Sequence, residues 1–233
     1  MTLAIMQPYI FPYIGYFQLM NRADEFVIYD NIEFTKKGWI NRNRILVNGK
    51  DEYISFPLKK ASDFLQIKER CLADNWNHER RKLLNKIAES YRKSPNFETI
   101  FPLVEKIVLF GENNLFGFIQ NSLIVIKAYL GIKSFLTISS SIPIDHTLKA
   151  ENKVIEICKA RKATTYINPI GGIKLYSKDI FKKEGIDLQF LRSADISYAQ
   201  FQHEFVPSLS IIDVMMFNSK ERLNGFLNEY ILD

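Results

Sequence analysis

Residues able to do chemistry crowd the first 44 positions of the chain. Gln7, Tyr13 and Tyr16 fall in the run Gln7-Pro8-Tyr9-Ile10-Phe11-Pro12-Tyr13-Ile14-Gly15-Tyr16, and Asp30 closes the apolar stretch Phe26-Val27-Ile28-Tyr29. Lys37, Trp39, Asn41, Arg42 and Arg44 follow within Lys36-Lys37-Gly38-Trp39-Ile40-Asn41-Arg42-Asn43-Arg44. Arginine's planar fork holds phosphate by paired hydrogen bonds. Trp39 offers a flat ring on which a base or sugar can stack. Asp30 could bind a ribose or sugar hydroxyl, or orient an amine. A solvated basic loop and a turn-capping Asp30 account for the same residues without a ligand, although a large ring in a polar loop usually covers something.

These residues need a frame, and the neighbouring apolar patterns supply one. Leu3-Ala4-Ile5-Met6 reads as a buried strand, the Pro/Gly-rich run as a turn, the residues after it as a helix, and Phe26 to Asp30 as a second strand. Open α/β sheets bind ligands outside the carboxyl ends of their parallel strands, which is where Gln7 and Asp30 fall. Gly15 would let a ligand approach the backbone at a helix N-terminus, a place that favours phosphate. In outline the segment resembles the entry of nucleotidyltransferases with a His-x-Gly-His signature, with Tyr13 and Tyr16 at the two histidine positions. Tyrosine brings no positive charge at neutral pH, so retained adenylyl transfer is not the favoured expectation. Plain aromatic packing remains the other role for Tyr13 and Tyr16.

A second strand-to-helix turn, Asn168-Pro169-Ile170-Gly171-Gly172, has paired glycines that suit close approach of a phosphate or an acyl carrier, and equally suit an ordinary turn. Tyr166 and Tyr176 flank it as weaker candidates. Of the three histidines, His78 sits in a charged helical start and is expected to face solvent. His146 and His203 are the candidates for a general base, together with a carboxylate such as Asp30. Ser210 and Asp213 share one face of a short helix, where they either close a pocket or anchor the C-terminal segment. No Ser-His-Asp order and no metal-ligand spacing is visible, so neither a metal nor any other cofactor is expected. Cys158 lies on the apolar side of a helix and reads as a structural thiol.

Along the rest of the chain, Ile45-Leu46-Val47 and Tyr53-Ile54-Ser55-Phe56 flank Asn48-Gly49 and predict a hairpin. Helices are expected over a segment bearing Leu83, Leu84, Ile87 and Tyr91, over 98–110 and over 114–130, forming a helical subdomain or insertion at about 75–131. Strands at 135–138, 164–168 and 186–191 then alternate with helices at 150–160 and 177–183. Residues 208–232 read as one or two capping helices. The expected fold is a single α/β domain over 1–233, with a mostly parallel open sheet of Rossmann-like type.

Composition sets outer limits. A net charge of +5 and a pI near 9.0 suit an anionic substrate but lack the concentrated basic face of a nucleic-acid binder. No signal peptide is expected, Leu115 to Leu130 is too short and polar to span a bilayer, and two cysteines fit a reducing cytoplasm.

The chain also resembles the WbqC-like proteins. The resemblance rests on Gln7-Pro8-x-x-Phe11-Pro12-Tyr13-Ile14-Gly15-Tyr16-Phe17-Gln18-Leu19, Tyr29-Asp30 and Trp39-Ile40-Asn41-Arg42-Asn43. It continues through Leu130-Gly131-Ile132, Ala163-Thr164-x-Tyr166, Phe181-x-x-x-Gly185-Ile186 and Pro207-x-Leu209-Ser210-Ile211-Ile212-Asp213. It implies work on nucleotide-linked amino sugars in bacterial surface-polysaccharide (O-antigen) synthesis, with transfer of an aminoacyl group such as glycyl as the expected reaction and no residue-level mechanism. Lacking the adenylating histidines, the chain is expected to take a pre-activated donor such as a carrier-protein thioester. An ATP-dependent ligase or nucleotidyltransferase, and a non-catalytic nucleotide-sugar-binding or scaffold protein, are the alternatives.

Overall fold

A computed structural model describes all 233 residues. In chain order the elements are β1 (Thr2–Met6), α1 (Ile14–Arg22), β2 (Glu25–Ile28), the hairpin strands β3 (Arg42–Val47) and β4 (Lys50–Ser55), α2 (Trp76–Tyr91), α3 (Phe97–Val108) and α4 (Leu115–Leu130). There follow β5 (Phe135–Ile138), α5 (Ala150–Ala160), β6 (Thr165–Pro169), α6 (Lys178–Lys183), β7 (Asp187–Ser193), α7 (Ile211–Phe217), α8 (Lys220–Phe226) and β8 (Tyr230–Leu232).

The fold is α/β. Six strands form one sheet in the order β5-β2-β1-β6-β7-β8, all parallel except β8. The chain winds outward from β1 through β2 to β5, then crosses back to β6 and continues the other way. The order therefore reverses between β1 and β6, and a crevice outside the carboxyl ends of those strands is where doubly wound sheets hold ligands.

Both faces of the sheet are covered. On one face Ala4, Phe26 and Ile28 join α1, the hairpin, α2–α4 and the C-terminal helices in a cluster of 47 buried residues. On the other, Leu3, Ile5, Val27, Tyr166, Leu188 and Phe190 pack with Val154, Ile157 and Cys158 of α5 and Phe181 of α6. Strands buried on both faces read as near-continuous apolar runs, which is why β1 and β2 show no polar alternation. Burial pushes the Cys158 thiol up to about 12, so it packs as a small apolar group.

The hairpin forms its own two-stranded sheet. Asn48 and Gly49 both have positive φ (49° and 77°), the conformation a two-residue turn of this hand requires and that Asn-Gly tolerates. The expected C-terminal helical cap needs one correction: residues 230–232 form β8, antiparallel to β7, and not helix. No helix is long and apolar enough to cross a membrane.

Candidate functional site

The Gln7–Tyr16 run is a rigid turn. Phe11 has φ 44°, unusual for a bulky residue, and is fully buried. Its carbonyl accepts from Asn43 Nδ2 at 2.8 Å and from Ser210 Oγ at 2.9 Å. Asn43 also donates to the Ile10 carbonyl at 3.1 Å, and the Ile211 N–H donates to the Pro12 carbonyl at 3.0 Å. The hairpin and the start of α7 thus clamp the turn in a conformation it would not hold alone. Ser210 also N-caps α7, which makes it an anchor of the C-terminal segment.

Beside this clamp opens a cleft of about 290 Å³ lined by Tyr9, Pro12, Tyr13, Trp39, Asn43, Arg44 and Ser208. Trp39 stacks on Tyr53 with ring centroids 6.1 Å apart, Arg44 lies over Trp39 at 5.6 Å, and Arg42 over Tyr53 at 4.8 Å. Arg42 and Arg44 share the open face of β3, and Arg44 stands directly across from Tyr53. The result is a wall of alternating rings and guanidinium groups. Tyr13 and Trp39 expose 38% and 39% of their surface, large values for rings, so both offer faces to a ligand. Arg44 donates to Asp51 at 3.0 Å and to the Ser208 carbonyl at 3.3 Å, while its buried Nε has no partner.

The other residues of the basic loop hold its shape. Arg42 Nε donates to the Gly38 carbonyl at 3.0 Å and its Nη2 to that of Lys37, a residue at φ 63°. Asn41 donates to the Phe56 carbonyl at 2.8 Å and so extends the hairpin. The Lys37 side chain is exposed.

The two histidine-equivalent tyrosines part company. Tyr16 is buried among Tyr9, Phe17 and Phe26, and its hydroxyl donates to the Gln7 carbonyl at 3.1 Å. The space above Gly15 is taken by the ring of Tyr13, where a Cβ would collide with it. Gly15 therefore admits a side chain, not a ligand, to the first turn of α1. Gly15→Ala should change stability by less than about 1 kcal/mol, because helix propensity rises as the ring is displaced. It should nevertheless push Tyr13 into the cleft and weaken any ligand there, as thermal melts and titration of the variant would show. Burial raises the hydroxyl of Tyr9 above its ordinary range, with the Tyr13 hydroxyl adding to it, and burial likewise raises that of Tyr13. Both are neutral hydrogen-bond partners at physiological pH, not bases.

The three expected catalytic residues lie outside this cleft. Asp30 is buried, and its carboxylate accepts from the Ser140 N–H at 2.9 Å and the Ser140 hydroxyl at 2.6 Å, pinning the turn after β5. His146 is exposed and contacts Asn31 Nδ2 at 2.9 Å and the Ile142 carbonyl at 3.0 Å. His203 lines a separate, open groove of about 810 Å³ with Asn48, Ser90, Arg92, Lys93 and Phe201. Tyr166 is buried and accepts from Asn168 Nδ2 at 2.6 Å, Asn168 fills the space above Gly172, and only Gly171 of the pair is open. Gln7 sits just past β1, with Tyr9's hydroxyl 3.4 Å from its side-chain oxygen. No three His, Cys, Asp or Glu side chains are grouped as metal ligands.

Sequence reasoning passed over Tyr9, Pro12, Asn43, Tyr53 and Ser208. Tyr53 was within reach, because an Asn48-Gly49 turn fixes a register that places it opposite Arg44.

Comparison with known proteins settles the affiliation. A model of the WbqC-like protein family matches residues 7–224. The chain belongs to the WbqC-like protein family. That span begins at Gln7 and takes in the clamped turn, the hairpin wall and α7. An uncharacterised protein of Mycobacterium tuberculosis is 28% identical to this WbqC-like chain over 222 residues, covering 92% of each. No solved structure matches.

Proposed function

We propose that this WbqC-like protein is a transferase that joins an aminoacyl group such as glycyl to the amine of a nucleotide-linked amino sugar, in the making of a bacterial surface polysaccharide. The single observation carrying this reading is the wall formed by Trp39, Tyr53, Arg42 and Arg44 beside the exposed ring of Tyr13. Flat rings suit a base or sugar, and a partly exposed guanidinium beside them suits a diphosphate.

The donor in this reading is a carrier-protein thioester. The sugar amine attacks the thioester carbonyl, a C–N bond forms, the C–S bond breaks, and the proton lost by nitrogen goes to the departing thiolate. Holding amine and carbonyl together supplies most of the acceleration such a reaction needs. Adenylyl transfer fits less well, because Tyr16 faces the core where the second cationic group of that chemistry would stand.

Purified protein given nucleotide-linked amino sugars and an aminoacylated carrier should yield a product heavier by one aminoacyl unit. No product with any donor or sugar would defeat the reading. A non-catalytic binding module is the second reading, favoured by one observation: no histidine or carboxylate lines the cleft. Saturable binding without turnover would select it.

A further inference from the structure

On the far face of the sheet from the aromatic cleft, Lys153 is buried with only 4% of its surface exposed. It sits in the first turn of α5, whose N-terminus lies at the carboxyl edge of the sheet because the helix runs back from β5 to β6. Its Nζ has one hydrogen-bond acceptor, the Asn31 carbonyl, at a long 3.4 Å, and lies 5.2 Å from the ring centre of Tyr29. Neither Asp30 nor Glu151 forms an ion pair with it. Asp30 is engaged by Ser140, and Glu151 accepts from the Ser177 N–H at 2.6 Å. A buried ammonium with three donors and no anion in direct contact is costly, and the positive end of a helix dipole makes it costlier. Burial is the main influence lowering the lysine's pKa, Asp30 opposes it and Lys68 adds to it.

Beside Lys153, Tyr29 and Tyr176 pack against the same apolar cluster at the carboxyl edge of the sheet. Tyr29, at the end of β2, has its hydroxyl pushed up to about 12 by burial and by neighbouring Tyr176. Tyr176 packs edge-on against Tyr166, whose hydroxyl takes the Asn168 amide at the end of β6. These residues thus extend from the carboxyl end of β2 to that of β6, across the point where the strand order reverses. Tyr29 and Tyr176 are half-buried, so their outer edges reach solvent.

We propose that Lys153, with the hydroxyls of Tyr29 and Tyr176, forms a second binding site that receives an anionic group, phosphate or carboxylate, of a ligand entering at the β1–β6 crevice. The proposal does not depend on the transferase reading, since it rests on other residues on the opposite face. An anion there would give the ammonium its missing partner and complement the helix N-terminus.

The test uses the full chain and inorganic phosphate, pyrophosphate and acetate as probes, read by thermal melts and calorimetric titration. At least one probe should raise the Tm of the wild type, phosphates marking a phosphate site and acetate a carboxylate site. Lys153→Met should weaken that probe at least tenfold, and Lys153→Arg should retain part of the response. Without ligand, Lys153→Met should melt at the same temperature or higher, because a methionine of similar length removes an unpaired buried charge. A large fall in its Tm, or failure to fold, would make Lys153 a structural pin and overturn the proposal. So would no response of the wild type to any probe, or a response that survives in Lys153→Met and disappears in Arg44→Ala.

Discussion

Asp213→Ala should cost roughly 3–5 kcal/mol of folding stability, the largest single effect expected in this chain, because stranding a buried donor costs about 1–3 kcal/mol each time. The Asp213 side chain is fully buried and accepts from the hydroxyls of Tyr91 at 2.8 Å and Tyr198 at 2.6 Å, and from Gln200 Nε2 at 2.7 Å. Tyr91 in turn takes the Leu46 N–H at 2.8 Å, so one carboxyl ties α7, α2, the hairpin and the 198–206 loop together. Chemical denaturation of wild type and variant would measure the loss. The network also carries a pH signature. Burial outweighs the three hydrogen bonds and raises Asp213's pKa above its unfolded value. The folded chain therefore holds that proton more tightly. The group's contribution is fully present below the unfolded value near 4 and is lost as pH rises through the folded one. Relative to Asp213→Asn, the wild type should gain stability on acidification from neutral pH toward about 4. A difference between the two that is flat with pH would contradict this.

Arg44→Ala should weaken binding of a nucleotide-linked amino sugar by roughly 1.5–3 kcal/mol, the range for a hydrogen bond to a charged group, or about ten- to a hundredfold in Kd. Folding should change by less than about 1 kcal/mol, since the Arg44–Asp51 pair at 3.0 Å is partly exposed on both sides. Trp39→Ala should lose about 1–3 kcal/mol of the same binding through stacking. Arg42→Ala separates contact from scaffolding. Its guanidinium is committed to the Gly38 and Lys37 carbonyls, so its removal should loosen the 37–42 loop and lower affinity indirectly. Arg42→Lys should recover only part, because an ammonium cannot reproduce the fork. Equal affinity for wild type and Arg44→Ala would remove Arg44 from the site.

Much of this frame is written in local pattern. The parallel strands, the Asn48-Gly49 hairpin and the apolar face of α2 follow from apolar runs, turn chemistry and helical spacing. β8 escaped because three residues, two of them exposed, give no periodicity, and pairing with β7 is what makes them a strand. The cleft was legible as far as its residues lie in the opening run. What was not legible is which side of a residue faces what. Tyr13 and Tyr16 have similar local surroundings in sequence, yet one is open and the other is core, because α1 lies flat on the sheet. Nothing in the local pattern marks Lys153, and only the packing of α5 on the sheet edge buries it. Asp213's partner Tyr91 is 122 residues away, beyond any spacing rule.

The most direct test of the account is where a nucleotide-linked amino sugar protects backbone amides from hydrogen exchange at saturation. The cleft assignment predicts slowed exchange in residues 9–16 and 37–46, with little change in the 198–206 loop that carries His203. Protection confined to the 198–206 loop and the end of α2, with residues 9–16 and 37–46 unchanged, would contradict it.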